Sequence, residues 1–157
     1  MNLENLKKQY DRHAKKYKLP EFNELNENFE IDKVEKDSEF LLRMLRKVMM
    51  EKIVNSLSFL EMLLNPVNTP RLYAMYARSM SVEDRKEIER IYGALGQLSI
   101  NSLDLEIDYS EEKEAEAIKL IFQTWNSIKP DFRIVFENMK KSLISEESAK
   151  KEKSYFG

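Results

Sequence analysis

The stretch FLLRMLRKVMMEKIVNSLSFLEMLL, residues 40–64, decides the fold. It runs without glycine or proline until Asn65-Pro66, and leucine, methionine, lysine, arginine and glutamate keep most of their side-chain freedom in a helix. Its apolar positions, from Phe40, Leu41, Leu42, Met44 and Leu45 through Val48, Met49, Met50, Ile53, Val54 and Leu57 to Phe59, Leu60, Met62, Leu63 and Leu64, cover nearly the whole circumference beyond Met49 at 100° per residue. A helix that is apolar all round is enclosed on several sides. At 1.5 Å per residue, Phe40 to Leu64 spans roughly 37 Å, enough to cross a small domain. The greasiest part, Ile53 to Leu64, is interrupted by Asn55, Ser56, Ser58 and Glu61 and falls short of the ~20 apolar residues that span a bilayer. The stretch predicts a long central helix over about 38–64, opened by a capping box at Asp32 and Glu35 or by Ser38.

Working outward, residues 2–17 place Leu3, Leu6, Tyr10, Ala14 and Tyr17 on one stripe, which predicts a first helix. Leu19-Pro20 closes it, and Pro20 can start a short turn carrying Phe22 and Leu25. Phe29 and Ile31 alternate with polar residues, so an extended connection is expected there. Beyond the central helix, Thr69-Pro70 restarts the chain, and Ser81 and Ser110 each precede acids that suit a helix start. Ile88, Ile91, Tyr92, Leu95 and Leu98 form one inward face, and Ala115, Ile118, Ile121, Phe122 and Trp125 another. Pro130 is expected to break the run and launch a last helix with Phe132, Val135, Phe136, Met139 and Leu143. From Ser145 the charged segment reads as a frayed tail. Gly93 and Gly96 each cost about 1 kcal/mol against alanine inside a helix; a helix end at Gly96, or close approach of another helix, would account for them.

Composition agrees. The chain has 157 residues, 42% of them hydrophobic and 34% charged, with three glycines and four prolines. Those are globular proportions with too few turn residues for many short strands. A net charge of −2 gives no global field for nucleic acid or acidic lipid. Without cysteine there is neither a disulfide framework nor a thiolate metal site. Met1-Asn2-Leu3-Glu4 lacks the apolar run of a secretion signal, so a cytoplasmic, soluble protein is expected.

No stretch carries a reaction signature. His13 is the sole histidine and has no carboxylate beside it on the helix, so it reads as a residue at the edge of the apolar stripe. The acids Asp104, Glu106, Asp108, Glu111, Glu112, Glu114 and Glu116 could hold a hard cation, yet the loop order and turn glycine of a calcium-binding hand are missing. Basic residues concentrate in the first helix at Lys7, Lys8, Arg12, Lys15 and Lys16, followed by an acidic block over residues 21–39; pairing between the two blocks is the simplest expectation, a phosphate-binding face the alternative. Arg71, Tyr73, Met75, Tyr76, Arg78 and Arg85 form the best recognition patch, because arginine and tyrosine dominate interface hot spots. The plainer arrangement has Tyr73, Tyr76 and Met80 packing inward while the arginines stay wet.

The sequence therefore predicts an all-α, single-domain bundle of five to six helices over residues 1–144 around the 38–64 helix, with a charged, mobile tail at 145–157. Its expected role is a non-enzymatic protein-interaction or regulatory module without a cofactor, working through a protein partner or as a homodimer and not at a membrane. A nucleic-acid binder using the first helix or the 71–85 patch is the alternative, and a carboxylate-metal enzyme the third.

Overall fold

The computed structural model describes residues 2–34 and 39–156, with backbone alone for 146–149 and 154–156. Among the described residues the chain is all-α: α1 (Leu3–Tyr17), α2 (Phe22–Phe29), a 3-10 turn (Ile31–Lys33), α3 (Leu41–Leu64), α4 (Arg71–Ser79), α5 (Val82–Leu105) and α6 (Glu111–Phe156). No helix among these residues is long and apolar enough to cross a membrane.

Local chemistry sets most boundaries. The Asn2 side chain accepts the Glu4 N–H at 3.1 Å and opens α1. Lys18 and Glu30 adopt left-handed conformations that end α1 and α2. The Ser81 hydroxyl accepts the Asp84 N–H at 3.0 Å, and Ser110 accepts that of Lys113 at 3.3 Å; both caps lie where the sequence put them. Pro70 occupies the cap position of α4 instead of its first turn.

Several expectations need correction. Phe29 closes α2 and Ile31 enters a 3-10 turn, so this connection is not extended: Phe29 and Ile31 are both buried, and a tight turn points both inward. Asp32 lies in that turn and does not open α3, which starts at Leu41; Glu35 and Ser38 fall outside the described residues. Gly96 does not end α5, which runs on to Leu105. A Cβ built on Gly93 or Gly96 meets nothing within 4 Å, so no neighbouring helix accounts for either. Nor does Pro130 break α6, a single helix of 46 residues that continues through the segment expected to fray.

Pro130 is tolerated because the buried stripe never changes phase across it. Ile118, Ile121, Trp125, Ile128, Phe132, Val135 and Met139 are all buried, alternating steps of three and four. Pro130 itself is exposed, so the carbonyl deprived of its N–H partner lies on the watery side.

The chain groups into two compact units, Met1–Ser56 with Ala94–Trp125 and Leu57–Gly93 with Asn126–Gly157. In the first, Leu6, Tyr10, Leu25, Leu42, Leu45, Met49, Ile53, Leu95, Ala115 and Ile118 are sealed from solvent. Tyr10 packs edge-on against Phe22 with centroids 5.6 Å apart and donates to the Pro20 carbonyl at 2.5 Å. Lys52 Nζ stands 5.2 Å from the Trp125 ring. In the second unit Leu60, Leu63, Ile88 and Ile91 are sealed, Phe59 meets Tyr73 and Phe136 at 5.8 and 5.4 Å, and Arg90 binds Asp131 at 2.6 Å. The girth of α3 beyond Met49 is only partly covered: Ile53 is sealed, whereas Val54 is 45% exposed.

Candidate interaction surface

At one end of the first unit the stripes of three helices turn polar. Arg46 follows Leu42 on α3, Ser102 follows Leu95 and Leu98 on α5, and Glu114 precedes Ile118 on α6, each in phase with its apolar neighbours. Arg46 and Glu114 are both buried. Arg46 Nε donates to Glu114 Oε2 at 2.5 Å and Nη2 to Glu106 Oε1 at 2.6 Å, while Nη1 reaches the Ser102 hydroxyl. Arg43 adds a bond to Glu114 at 3.0 Å and another to the Leu105 carbonyl at 2.8 Å, and Lys47 lies 3.3 Å from Glu106. Burial pulls the Arg46 pKa down, and the hydrogen bonds of Glu114 and Glu106 more than offset it, leaving it raised. The Glu106 carboxyl is held below the usual glutamate range, chiefly by Arg46.

This layer explains much of the acidic run that suggested a cation site. Glu106 and Glu114 are taken by Arg46, Arg43 and Lys47, and Glu116 pairs with Lys119 at 2.7 Å. Glu111 accepts the Tyr17 hydroxyl at 2.7 Å and Lys16 at 3.1 Å, which hold its pKa down in that order; His13 Nδ1 stands 3.7 Å away. Among the described residues no group of acids and histidine is placed to hold a metal ion.

The Arg/Tyr patch divides. Tyr76 is buried, its pKa raised first by burial and then by Asp84, and Tyr73 packs on Phe59. Arg78 bonds back to the Ala74 carbonyl at 3.2 Å. Arg85 donates to the Leu64 carbonyl at 3.1 Å and lies 3.3 Å from Glu89. Met75 is half-buried and Arg71 exposed. Of the plainer arrangement, Tyr76 is buried and Arg71, Arg78 and Arg85 are exposed, whereas Tyr73 and Met80 are only half-buried.

In α1, Lys16 binds Glu111 and Lys7 stands 5.4 Å from the Phe22 ring. Lys8, Arg12 and Lys15 are exposed along one face. The expected pairing with the acidic block is not seen: among the described residues no ion pair joins α1 to residues 21–39, where Glu30 instead pairs with Lys33. Side chains one helical turn apart reach each other more readily than two separate elements do.

The surface that sequence reasoning missed lies on the last turns of α5 and the turn that follows it. Ile100 is 63%, Leu103 67% and Ile107 76% exposed, and Val54 of α3 is 45% exposed. Leu103 and Val54 border a groove of about 510 Å³ that Met50 and Asn55 also line, with Lys47, Glu51 and Glu106 as its charged lining. The opposite side of α5 borders a second groove of about 510 Å³, lined by Leu98, Leu105, Ala117, Leu120 and Ile121 with Asn101, Lys113 and Gln123. The signal was available: on α5 Ile100 and Leu103 lie out of phase with Ile88, Ile91, Leu95 and Leu98, and Ile107 follows in the turn beyond the helix end at Leu105. No family model, curated protein or solved structure matches the chain.

Proposed function

We propose that this chain is a non-enzymatic protein-interaction module whose working surface is the outer face of α5 with the adjoining groove against α3. The supporting observation is the row of Ile100, Leu103 and Ile107, all more than half exposed. Scattered surface aliphatics are ordinary, but a contiguous row marks a contact site. An amphipathic helix laid along such a row and into a groove is a common recognition mode, with anchors at three- and four-residue spacing. A cytoplasmic setting belongs to the same reading. The test is retention of proteins from native-cell extract by immobilised chain, wild type against a Leu103→Glu/Ile107→Glu variant. The variant should lose a partner that the wild type retains; identical sets of retained proteins would overturn this surface.

A second reading rests on Lys8, Arg12 and Lys15, exposed and without an ion-pair partner among the described residues. Such a row can neutralise phosphates, with affinity that falls steeply as salt rises. Binding of mixed RNA or DNA at low salt, weakened in a Lys8→Glu/Arg12→Glu/Lys15→Glu variant, would favour it; no binding at low salt removes it.

A further inference from the structure

The short helix α2 is held down by a cation that it does not supply itself. It has eight residues, fewer than the 12–15 or so that persist alone in water. Its last turn contains no basic residue, although the carbonyls there form the negative end of the helix. It also hangs between Lys18 and Glu30, whose φ values of 56° and 53° put residues bearing a Cβ into the left-handed region, which costs strain.

Lys52 of α3 supplies the missing charge. Its ammonium donates to the Asn28 carbonyl in the last turn of α2. It also lies 5.8 Å from the Phe29 ring and 5.2 Å from the Trp125 ring, close enough for cation–π attraction to both. The two rings stand 6.1 Å apart at 56° to each other, so they form a two-walled seat for the ammonium. Both rings are buried, while the lysine itself is exposed. The Glu30 carboxyl just past the helix is held below the usual glutamate range by Lys33 first, and Lys52 adds to it. The amino end of α2 is tied separately, through Phe22 packed on Tyr10 of α1.

We propose that α2 is a strap that opens from its carboxyl end, and that the charge of Lys52 is its latch. On opening, Phe29 leaves Trp125 and the indole meets water, while Phe22 stays on Tyr10. Local openings of this kind are drawn from the least stable elements of a fold, and a short, strained helix fastened at its end by one foreign cation is such an element. The device is independent of the α5 surface, since Asn28, Phe29, Lys52 and Trp125 line neither of its grooves.

Amide hydrogen exchange, together with acrylamide quenching of Trp125, the sole tryptophan, reports the strap separately from the rest of its unit. Lys52→Gln and Lys52→Met, both neutral, should each speed exchange of the amides from Leu25 to Phe29 about tenfold, the scale of a helix-end charge and a cation–π contact together. Both should also raise quenching of Trp125. Lys52→Arg, which keeps the charge, should stay near wild type in both measurements. The amides of Leu45, Leu95 and Ile118 should keep their wild-type rates throughout. Unchanged α2 exchange in the two neutral variants would overturn the proposal. So would Lys52→Arg opening as far as they do, which would make something other than charge the tie. Equal acceleration at Leu45, Leu95 and Ile118 would also overturn it, because the unit would then be opening as one body with no strap.

Discussion

At the scale of single residues, Arg46 is the most informative position. A guanidinium 1% exposed beside a carboxylate 0% exposed has lost its hydration, and the pair is tolerable only because every partner is in place. Arg46→Ala should therefore cost about 3 kcal/mol in urea unfolding, since it strands Glu114 with Arg43 alone. The Arg46→Met/Glu114→Leu double variant should recover most of that loss. Equal destabilisation of the single and double variants would show that packing, not stranded charge, sets the cost. Glu106 and Glu111 both have folded pKa values below the ordinary glutamate value, so what they contribute is complete above the ordinary glutamate pKa of about 4.3 and disappears as pH falls through the lower folded value. Melting temperature followed against pH should show a gap between wild type and Glu106→Gln that is constant near neutrality and closes in acid. Arg46 was legible in principle, as a charge in phase with an apolar stripe; composition and motif spacing do not register phase, so Glu106 and Glu114 read as members of an acidic run.

For whole elements, periodicity proved a better guide than the local breakers. The α5 start follows directly from Ser81, because capping is decided within one turn, and Asn2 caps α1 in the same way; at α4 Pro70 takes the cap position expected of Thr69. Pro130, Gly93 and Gly96 misled for the opposite reason. Each carries a local penalty of known size, and the tertiary burial that outweighs it, in Ile128 and Phe132 around Pro130 and in Ile91 and Leu95 around Gly93, is distributed over many turns. These penalties remain in the folded protein. Pro130→Ala should stabilise it by about 1–3 kcal/mol, the full propensity difference being reduced by the freer unfolded chain. Gly93→Ala should add about 0.5–1 kcal/mol, because the position is exposed and the new methyl meets nothing within 4 Å. Denaturant midpoints check both, and a loss of stability at Gly93 would mean that the glycine serves something other than the helix.

On the whole-molecule scale, the all-α class was legible from scarce glycine and proline and from a mid-chain run too long and greasy for a strand. The proposed contact surface was not, because exposure depends on which of two apolar faces the rest of the chain covers. On α5 the Ile88–Leu98 face is buried, while Ile100 and Leu103, with Ile107 just past the helix end, are left in water; nothing within α5 alone ranks one above the other.

The unbroken rhythm of α6 also restricts how this chain can change in length. Each residue added to a helix rotates everything after it by about 100°, so one codon inserted between Ile128 and Met139 would swing the downstream anchors away from their seats. Seven codons would bring the face back to within about 20°, though about 10.5 Å further along the axis. Substitution at Pro130 is cheap; a frameshift of a single helical step beside it would be ruinous.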